Sequence, residues 1–381
     1  MFFSGNKKKI DETNKLTDKY RGCIIGGAVG DALGYTVEFM SEQEIHRQFG
    51  ERGISEYRTV NGRALISDDT QMTLFTATGL LNKHPPLPCS NKLTPYITEI
   101  GNNYKDWYLT QTEKYPINTN KRNSWLINVP ELFFPRAPGN TCMSALEMRI
   151  NNIVASISRP VNASKGCGGV MRVAPIGLYF DGKSIDINDI DMLAAEAAAI
   201  THSHDLGYIP AAGLAHIIHL VTHRGFKLLN AIVDMIIKMK ELFAKSRYID
   251  TFTQLIEKAV LLADSAYSDI DAIHKLGSGW VGEEALAIAI FCALRYQNNF
   301  ESAIIAAVNH EGDSDSTGAI TGNILGAYLG MSAIPDKYLN KLELYDVMTE
   351  IADDLLNKNV ENDPNYVSKY VDKTYCPTVK S

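Results

Sequence analysis

From Tyr20 onward, apolar residues recur at the three- and four-residue spacing of helices that bury one face or more. The pattern predicts helices over 21–34, 69–82, 190–201, 208–223, 228–245, 251–264, 282–296, 300–308 and 317–331. The alternation of half-buried strands is rare, and 53–66 is the best place for a short hairpin. The stretch 110–142 is rich in Asn, Thr, Pro and Arg, so it is expected to be loop over much of its length. Residues 1–19 are polar and lysine-rich, with Phe2 and Phe3 at the tip. They are expected to form an arm outside the core, ahead of one domain over 20–360 and a tail over 361–381. No fixed-period repeat is visible, and the balance of elements is all-α.

Two glycine ladders stand out in this pattern. Gly22, Gly26, Gly30 and Gly34 fall at i, i+4 spacing, as do Gly318, Gly322, Gly326 and Gly330. Each set makes one stripe along a helix. Glycine costs roughly 1 kcal/mol against alanine in a helix interior, so a stripe of them needs a compensation, and close approach of another backbone supplies one. The first stripe contains Asp31, and the second is preceded by Asp313-Ser314-Asp315. If the ladders pack together, positions near 31 and near 313 become neighbours. The span Ser316–Pro335 is uncharged and carries Gly-x-x-x-Gly spacing, which can mark a membrane helix. Its Ser, Thr, Asn and glycine content favours a buried helix of a soluble protein instead.

Composition narrows the function. The chain is 45% hydrophobic with a net charge of -7, which is globular material with no basic face for nucleic acid. The six cysteines are scattered without a Cys-x-x-Cys pair, which fits reduced thiols in the cytoplasm better than a zinc site or a disulfide framework. The first residues lack the apolar segment of a secretory signal. No membrane partner is expected.

Two carboxylate clusters carry the candidate chemistry. Ser67-Asp68-Asp69-Thr70 precedes one apolar helix pattern, and Asp313-Ser314-Asp315-Ser316-Thr317 precedes another. Ser and Asp are preferred N-caps and helix starts stabilise carboxylates, so either cluster alone is most economically a cap. A cap needs one acceptor, however, and each cluster offers two carboxylates plus hydroxyls. Hard cations such as Mg²⁺ take oxygen ligands, and the paired clusters have the composition of a two-metal site. Asp313-x-Asp315-x-Thr317-Gly318 also matches the opening of an EF-hand loop, but the required glutamate at its twelfth position is Ile324.

These residues resemble the ADP-ribosylglycohydrolase family, in particular its dinitrogenase reductase-activating type. The similarity runs from Tyr20 to about Leu339. Its segments are 21–34, Ser67–Thr70, Arg136–Thr141, Ser164–Arg172, Thr201–His204, Gly279–Glu284 and Gly312–Ser316, all in family order. The resemblance implies a compact orthogonal all-α domain with a metal-containing cleft. It implies two Mg²⁺, with Mn²⁺ able to substitute, held by Ser67, Asp68, Asp69, Asp313, Asp315 and Ser316. Glu38 matches a flap glutamate, and Glu38, Asp313 and Asp315 are the implied catalytic carboxylates. Gly139, Ser164, Lys165, Gly166, Cys167 and His202 are the implied ligand-pocket residues, with Cys167 standing where several relatives carry Asn. Trp280 is read as packing at the start of the 282–296 helix.

The implied reaction is hydrolysis at C1″ of the distal ribose of an ADP-ribosylated protein, arginine foremost, with ADP-ribose as product. One alternative is an immunity protein that neutralises an ADP-ribosyltransferase toxin, by hydrolysis or by inserting the arm with Phe2, Phe3 and Lys7–Lys9. Another is hydrolysis of O-acetyl-ADP-ribose or poly-ADP-ribose. A catalytically dead relative would have lost metal-ligand aspartates, and none is lost here.

Overall fold

The computed structural model describes residues 2–82, 92–117, 122–183, 185–358 and 363–377, with side chains from Thr13 onward. Its helices are α1 (Phe2–Gly34), α2 (Glu42–Phe49), α3 (Asp68–Leu81), α4 (Thr94–Thr112), α5 (Asn140–Ile150), α6 (Ala174–Tyr179), α7 (Ile187–Ala199) and α8 (Asp205–His223). They continue with α9 (Leu228–Leu242), α10 (Ile249–Ala263), α11 (Asp269–Leu276), α12 (Gly282–Arg295), α13 (Phe300–Val308), α14 (Ser314–Leu329), α15 (Asp336–Leu339) and α16 (Tyr345–Asn357). The described residues contain isolated β-bridges but no strand, so the fold is all-α as expected. None of their helices is long and apolar enough to cross a membrane.

The glycine ladders form the spine. α1 and α14 run antiparallel, with Gly22 opposite Gly326, Gly26 opposite Gly322, Gly30 opposite Gly318 and Gly34 opposite Ser314. A Cβ built on Gly26 would lie 2.6 Å from the carbonyl oxygen of Gly322, and those on Gly22, Gly30 and Gly34 would meet backbone closer still. The packing therefore requires an absent side chain at each rung. Its consequence is positional: the C-terminal end of α1 is delivered against the N-terminal end of α14. Around this spine α7 lies on α8, α3 on α4, and α12 on both α10 and α14. Trp107, Trp125, Phe75, Phe252 and Phe291 are fully buried in the surrounding core, each contributing about 1.5–3 kcal/mol or more.

Departures from the sequence pattern have local causes. α1 begins at Phe2 rather than 21. Before the expected start, Asp18 already accepts hydrogen bonds from the Ser332 amide and hydroxyl, both at 3.0 Å, and Tyr20 donates to the Leu178 carbonyl. The hairpin expected over 53–66 reduces to a single bridge, Val60 to Arg63, around Asn61-Gly62 with both residues at positive φ. Ala64 pairs instead with the 341–343 segment, so the turn never lengthens into strands. α4 and α5 were hidden because polar residues share their buried faces: Asn103, Asp106 and Thr110 in α4, and Arg149 in α5. α5 starts at Asn140, at the end of the expected loop.

Candidate metal centre and ligand cleft

The two carboxylate clusters are both helix starts, as their composition indicated. Ser67 is the N-cap of α3, its hydroxyl accepting from the Asp69 amide at 3.2 Å. Asp313 is the N-cap of α14, with Oδ1 accepting from the Ser316 amide at 3.3 Å, while Asp315 Oδ1 accepts from the same amide at 2.9 Å. Asp31, near the end of α1 and wholly buried, ties the first cluster down. It accepts from the Ser67 amide at 2.9 Å, from the Thr70 amide at 3.1 Å and from the Thr70 hydroxyl. The ladder register thus brings Asp31 beside both clusters, and Asp31 props the α3 start from behind. Just past α1, the turn at 35–39 carries Glu38 back over the α14 start. One oxygen each of Glu38, Asp313 and Asp315 lie within 4.8 Å of one another.

Electrostatically this is an unbalanced site. Asp31, Glu38, Asp68, Asp69, Asp313 and Asp315 are all buried, and none takes part in an ion pair among the described residues. Burial, reinforced by the neighbouring carboxylates, pushes Glu38 and Asp68 up to about 8. Burial raises Asp31 to about 6, even against its four hydrogen bonds. Asp69 and Asp315 are raised by burial and by the neighbouring carboxylates, and Asp313 by burial against the hydrogen bonds it accepts. Among the described residues, Glu38, Asp313 and Asp315 thus crowd one another with no cationic side chain between them. Glu38 Oε2 and Asp69 Oδ2 are buried with no hydrogen-bond partner. Orphaned carboxylate oxygens and mutually repelling anions are what a divalent cation relieves. The donor set therefore fits a hard cation.

Beside the carboxylates lies a cleft of about 190 Å³, lined among others by Glu38, Asp68, Asp69, Asp313, Asp315 and Ser316 together with Gly139, Gly166, Cys167 and His202. The Gly139 amide donates to Asp68 Oδ2 at 3.2 Å, so the 136–139 loop closes on the cluster. That loop is held by Arg136, paired with Glu343 at 3.1 Å, while Glu343 also accepts from the Ile66 amide at 3.2 Å. The Cys167 thiol donates to Asp313 Oδ2 at 2.7 Å. Burial and the adjacent carboxylates keep that thiol protonated.

His202 faces the Gly166–Gly168 turn, where an added Cβ at Gly168 would lie 2.9 Å from its Cε1. Burial, with Arg172 nearby, pushes His202 down to about 3, so it is neutral. Arg172 donates to the Thr201 hydroxyl oxygen at 2.7 Å, and that hydroxyl lies 2.8 Å from His202 Nδ1 and 3.5 Å from the Ala198 carbonyl. A Thr201 proton directed at Nδ1 places the imidazole hydrogen on Nε2.

Other expected positions sit at the margin. Ser67 is buried behind the cleft wall rather than in it. Ser164 Oγ is 3.2 Å from Thr141 Oγ1, and Lys165 pairs with Glu283, so both lie beside the lining residues. Trp280 is not core: it is 43% exposed, lines the cleft and stacks on Phe39, which is 74% exposed, with ring centroids 5.9 Å apart. It precedes the first buried turn of α12, so the helix pattern said nothing about where its ring goes. Asn140, Thr141 and Gly168 also line the cleft, inside segments already quoted as motifs. A larger hollow of about 920 Å³ runs along α16, but its Asp353 and Glu343 are already paired with Arg21 and Arg136.

Comparison with known proteins agrees with this architecture. The model of the ADP-ribosylglycohydrolase family matches residues 12–365. The chain is 25% identical over 334 residues to the ADP-ribosyl-[dinitrogen reductase] glycohydrolase of Rhodospirillum rubrum, covering 86% of this chain and 91% of that one. It is 25% identical over 354 residues to the ADP-ribosylarginine hydrolase Tri1 of Serratia proteamaculans, covering 93% and 83% respectively. A chain of a solved ADP-ribosylglycohydrolase-related protein complex superposes with a TM-score of 0.63 at 24% identity, covering 91% of this chain and 99% of that chain, which shows the shared fold.

Proposed function

The chain belongs to the ADP-ribosylglycohydrolase family, and from that premise we propose that its hydrolase activity removes ADP-ribose from arginine side chains of modified proteins, with divalent cations, Mg²⁺ first, as cofactor. The observation that carries the reading is the cleft itself. Its lining brings together buried carboxylates with orphaned oxygens, a glycine turn and a neutral imidazole. Asp68, Asp69, Asp313 and Asp315 would hold the cations, with Ser316 and Ser67 adjoining. A bound cation supplies Lewis acidity, lowering the pKa of water and orienting sugar hydroxyls.

The chain's own groups do the rest. Glu38 lines the cleft with Oε2 unpartnered, and once deprotonated beside a bound cation it would be an acceptor for a proton from water, with Asp313 and Asp315 as its neighbours. As the glycosidic bond breaks, positive charge grows on the ribose, and the surrounding carboxylates oppose it. The Gly166 and Cys167 amides already donate to Ser164 Oγ and the Trp280 carbonyl, so the Gly166–Gly168 turn would serve a diphosphate chiefly through the space its missing side chains leave beside the cleft. Arg172, fully buried and stacked 4.4 Å from the Tyr104 ring, adds positive potential beneath that turn without a carboxylate partner to cancel it. Arginine is favoured as the acceptor because the Serratia relative is named for ADP-ribosylarginine.

The test is incubation of the full chain with arginine-linked and serine-linked ADP-ribosyl peptides in Mg²⁺, Mn²⁺ or excess EDTA, with release of ADP-ribose measured. Release from the arginine-linked peptide in Mg²⁺, abolished by EDTA, is expected. Undiminished release in EDTA overturns the metal requirement, and release from the serine-linked peptide alone overturns the acceptor assignment.

A further inference from the structure

We propose that Cys167 is a sulfur ligand of the cation site, so that this cleft prefers thiophilic divalent ions such as Mn²⁺, Co²⁺, Zn²⁺ or Cd²⁺ over Mg²⁺ more than an all-oxygen site does. The proposal rests on the reading of the carboxylate cluster as a cation site.

The geometry comes first. Cys167 Sγ is 2.7 Å from Asp313 Oδ2 and 3.6 Å from Ser316 Oγ, two of the oxygens assigned to the cation. Two ligands on one tetrahedral ion, at Zn–S ≈ 2.3 Å and Zn–O ≈ 2.1 Å, sit about 3.6 Å apart, the spacing Sγ already has to Ser316 Oγ, whereas Asp313 Oδ2 at 2.7 Å must swing outward to ligate the same ion. The thiol proton now occupies the line between Sγ and Oδ2. When a cation binds beside this pair, Oδ2 and Sγ move apart, the S–H bond breaks, the proton leaves to solvent, and a sulfur–metal bond forms.

The sulfur is also held in place. The Cys167 amide donates to the Trp280 carbonyl at 3.2 Å, and its own carbonyl accepts from the Val170 amide at 2.7 Å. Independently of the thiol, Asp69 Oδ2 and Glu38 Oε2 line the same cleft without partners, on residues only 3% and 7% exposed. These orphaned oxygens ask for a cation, and the thiol is a soft donor standing among them. Thiolate selects softer metals, whereas Mg²⁺ is served by oxygen alone. Cys142 also reaches the cleft wall, but its sulfur lies 3.6 Å from the Arg172 guanidinium, a neighbour that repels a cation.

The probe is Co²⁺ titrated into the EDTA-stripped full chain. Visible d–d bands report cobalt at the site, and a near-ultraviolet sulfur-to-cobalt charge-transfer band reports the thiolate. The expected result is both bands in the natural chain and, in Cys167→Ser, d–d bands without charge transfer. Cd²⁺ affinity of the variant falls about tenfold or more, while Mg²⁺ affinity changes far less. Co²⁺ bands without charge transfer in the natural chain overturn the sulfur ligand and leave the cation site standing. Charge transfer that survives Cys167→Ser also overturns it, since another cysteine then supplies the sulfur. Failure to bind Co²⁺ at all sinks the cation site, and this proposal with it.

Discussion

Thr201 shows how much one hydroxyl decides. It has one proton and three neighbours: the Arg172 guanidinium can only donate to it, the Ala198 carbonyl is distant at 3.5 Å, and His202 Nδ1 lies at 2.8 Å. The shorter contact favours Nδ1 as the acceptor of that proton, which is expected to place the imidazole hydrogen on Nε2, ready to donate to a ligand oxygen. Thr201→Val is expected to free the ring to exchange tautomers and to weaken ADP-ribose binding by up to about tenfold, the worth of one hydrogen bond. Thr201→Ser is expected to restore both. Nitrogen-detected NMR of His202 reads the tautomer directly, and an unchanged Nε2–H form in Thr201→Val refutes the assignment. At this scale the sequence was partly legible. His202 and the aspartates stand out as residue types inside motifs, but the role of Thr201 depends on Arg172 reaching it from 29 positions away. Asp31 was visible only as a neighbour inferred from glycine spacing. Nothing in its local sequence says that it braces the Ser67–Thr70 turn.

Among the elements, the α1–α14 pair was the most readable, because a run of glycines at helical spacing is costly unless a backbone occupies the vacated space. The same reasoning fixes the sign of a substitution. In an isolated helix, Gly26→Ala gains about 1 kcal/mol. Here the new Cβ would sit 2.6 Å from the Gly322 carbonyl oxygen and 3.1 Å from the Phe300 ring. The helices must separate, and a loss of about 1–3 kcal/mol is expected, the scale of overpacking. Chemical denaturation measures it, and a more stable Gly26→Ala chain contradicts the close packing. The helices that escaped the pattern do so for the opposite reason. α4 buries Asn103, Asp106 and Thr110, and Asp106 accepts from the Asn123 and Ser124 amides at 2.7 and 2.8 Å. Its inner face binds a loop as well as a core, so its polarity reads as surface. α5 has buried positions at 142, 145, 146 and 149, a helical spacing, but Arg149 occupies the last and donates to the Gly101 carbonyl at 3.0 Å. Apolar periodicity finds helices that bury hydrocarbon and overlooks those that bury polar groups.

For the molecule as a whole, the clustered carboxylates couple folding to pH and to cations. In the metal-free chain, Glu38 and Asp68 hold their protons up to about 8, against ordinary values of 4.5 and 3.8 in the unfolded chain. The folded state therefore binds more protons than the unfolded state between those limits, and stability falls as pH rises. The contribution is fully present below about pH 4 and is lost progressively as pH climbs through about 8. Asp69, Asp313 and Asp315 are shifted in the same direction and add to the slope. A divalent cation binds the deprotonated cluster and stabilises the folded chain in proportion to the logarithm of its concentration over Kd, so its effect grows where the protons are leaving. Thermal melts in EDTA are expected to show Tm falling from about pH 5 to about pH 9, and melts in Mg²⁺ to recover most of that fall. The shift on adding Mg²⁺ should be small at the acid end and largest at the alkaline end. A metal-free Tm that stays level or rises across this range, or an Mg²⁺ shift independent of pH, would mean that the buried carboxylates are neutralised from within the fold rather than by a cation.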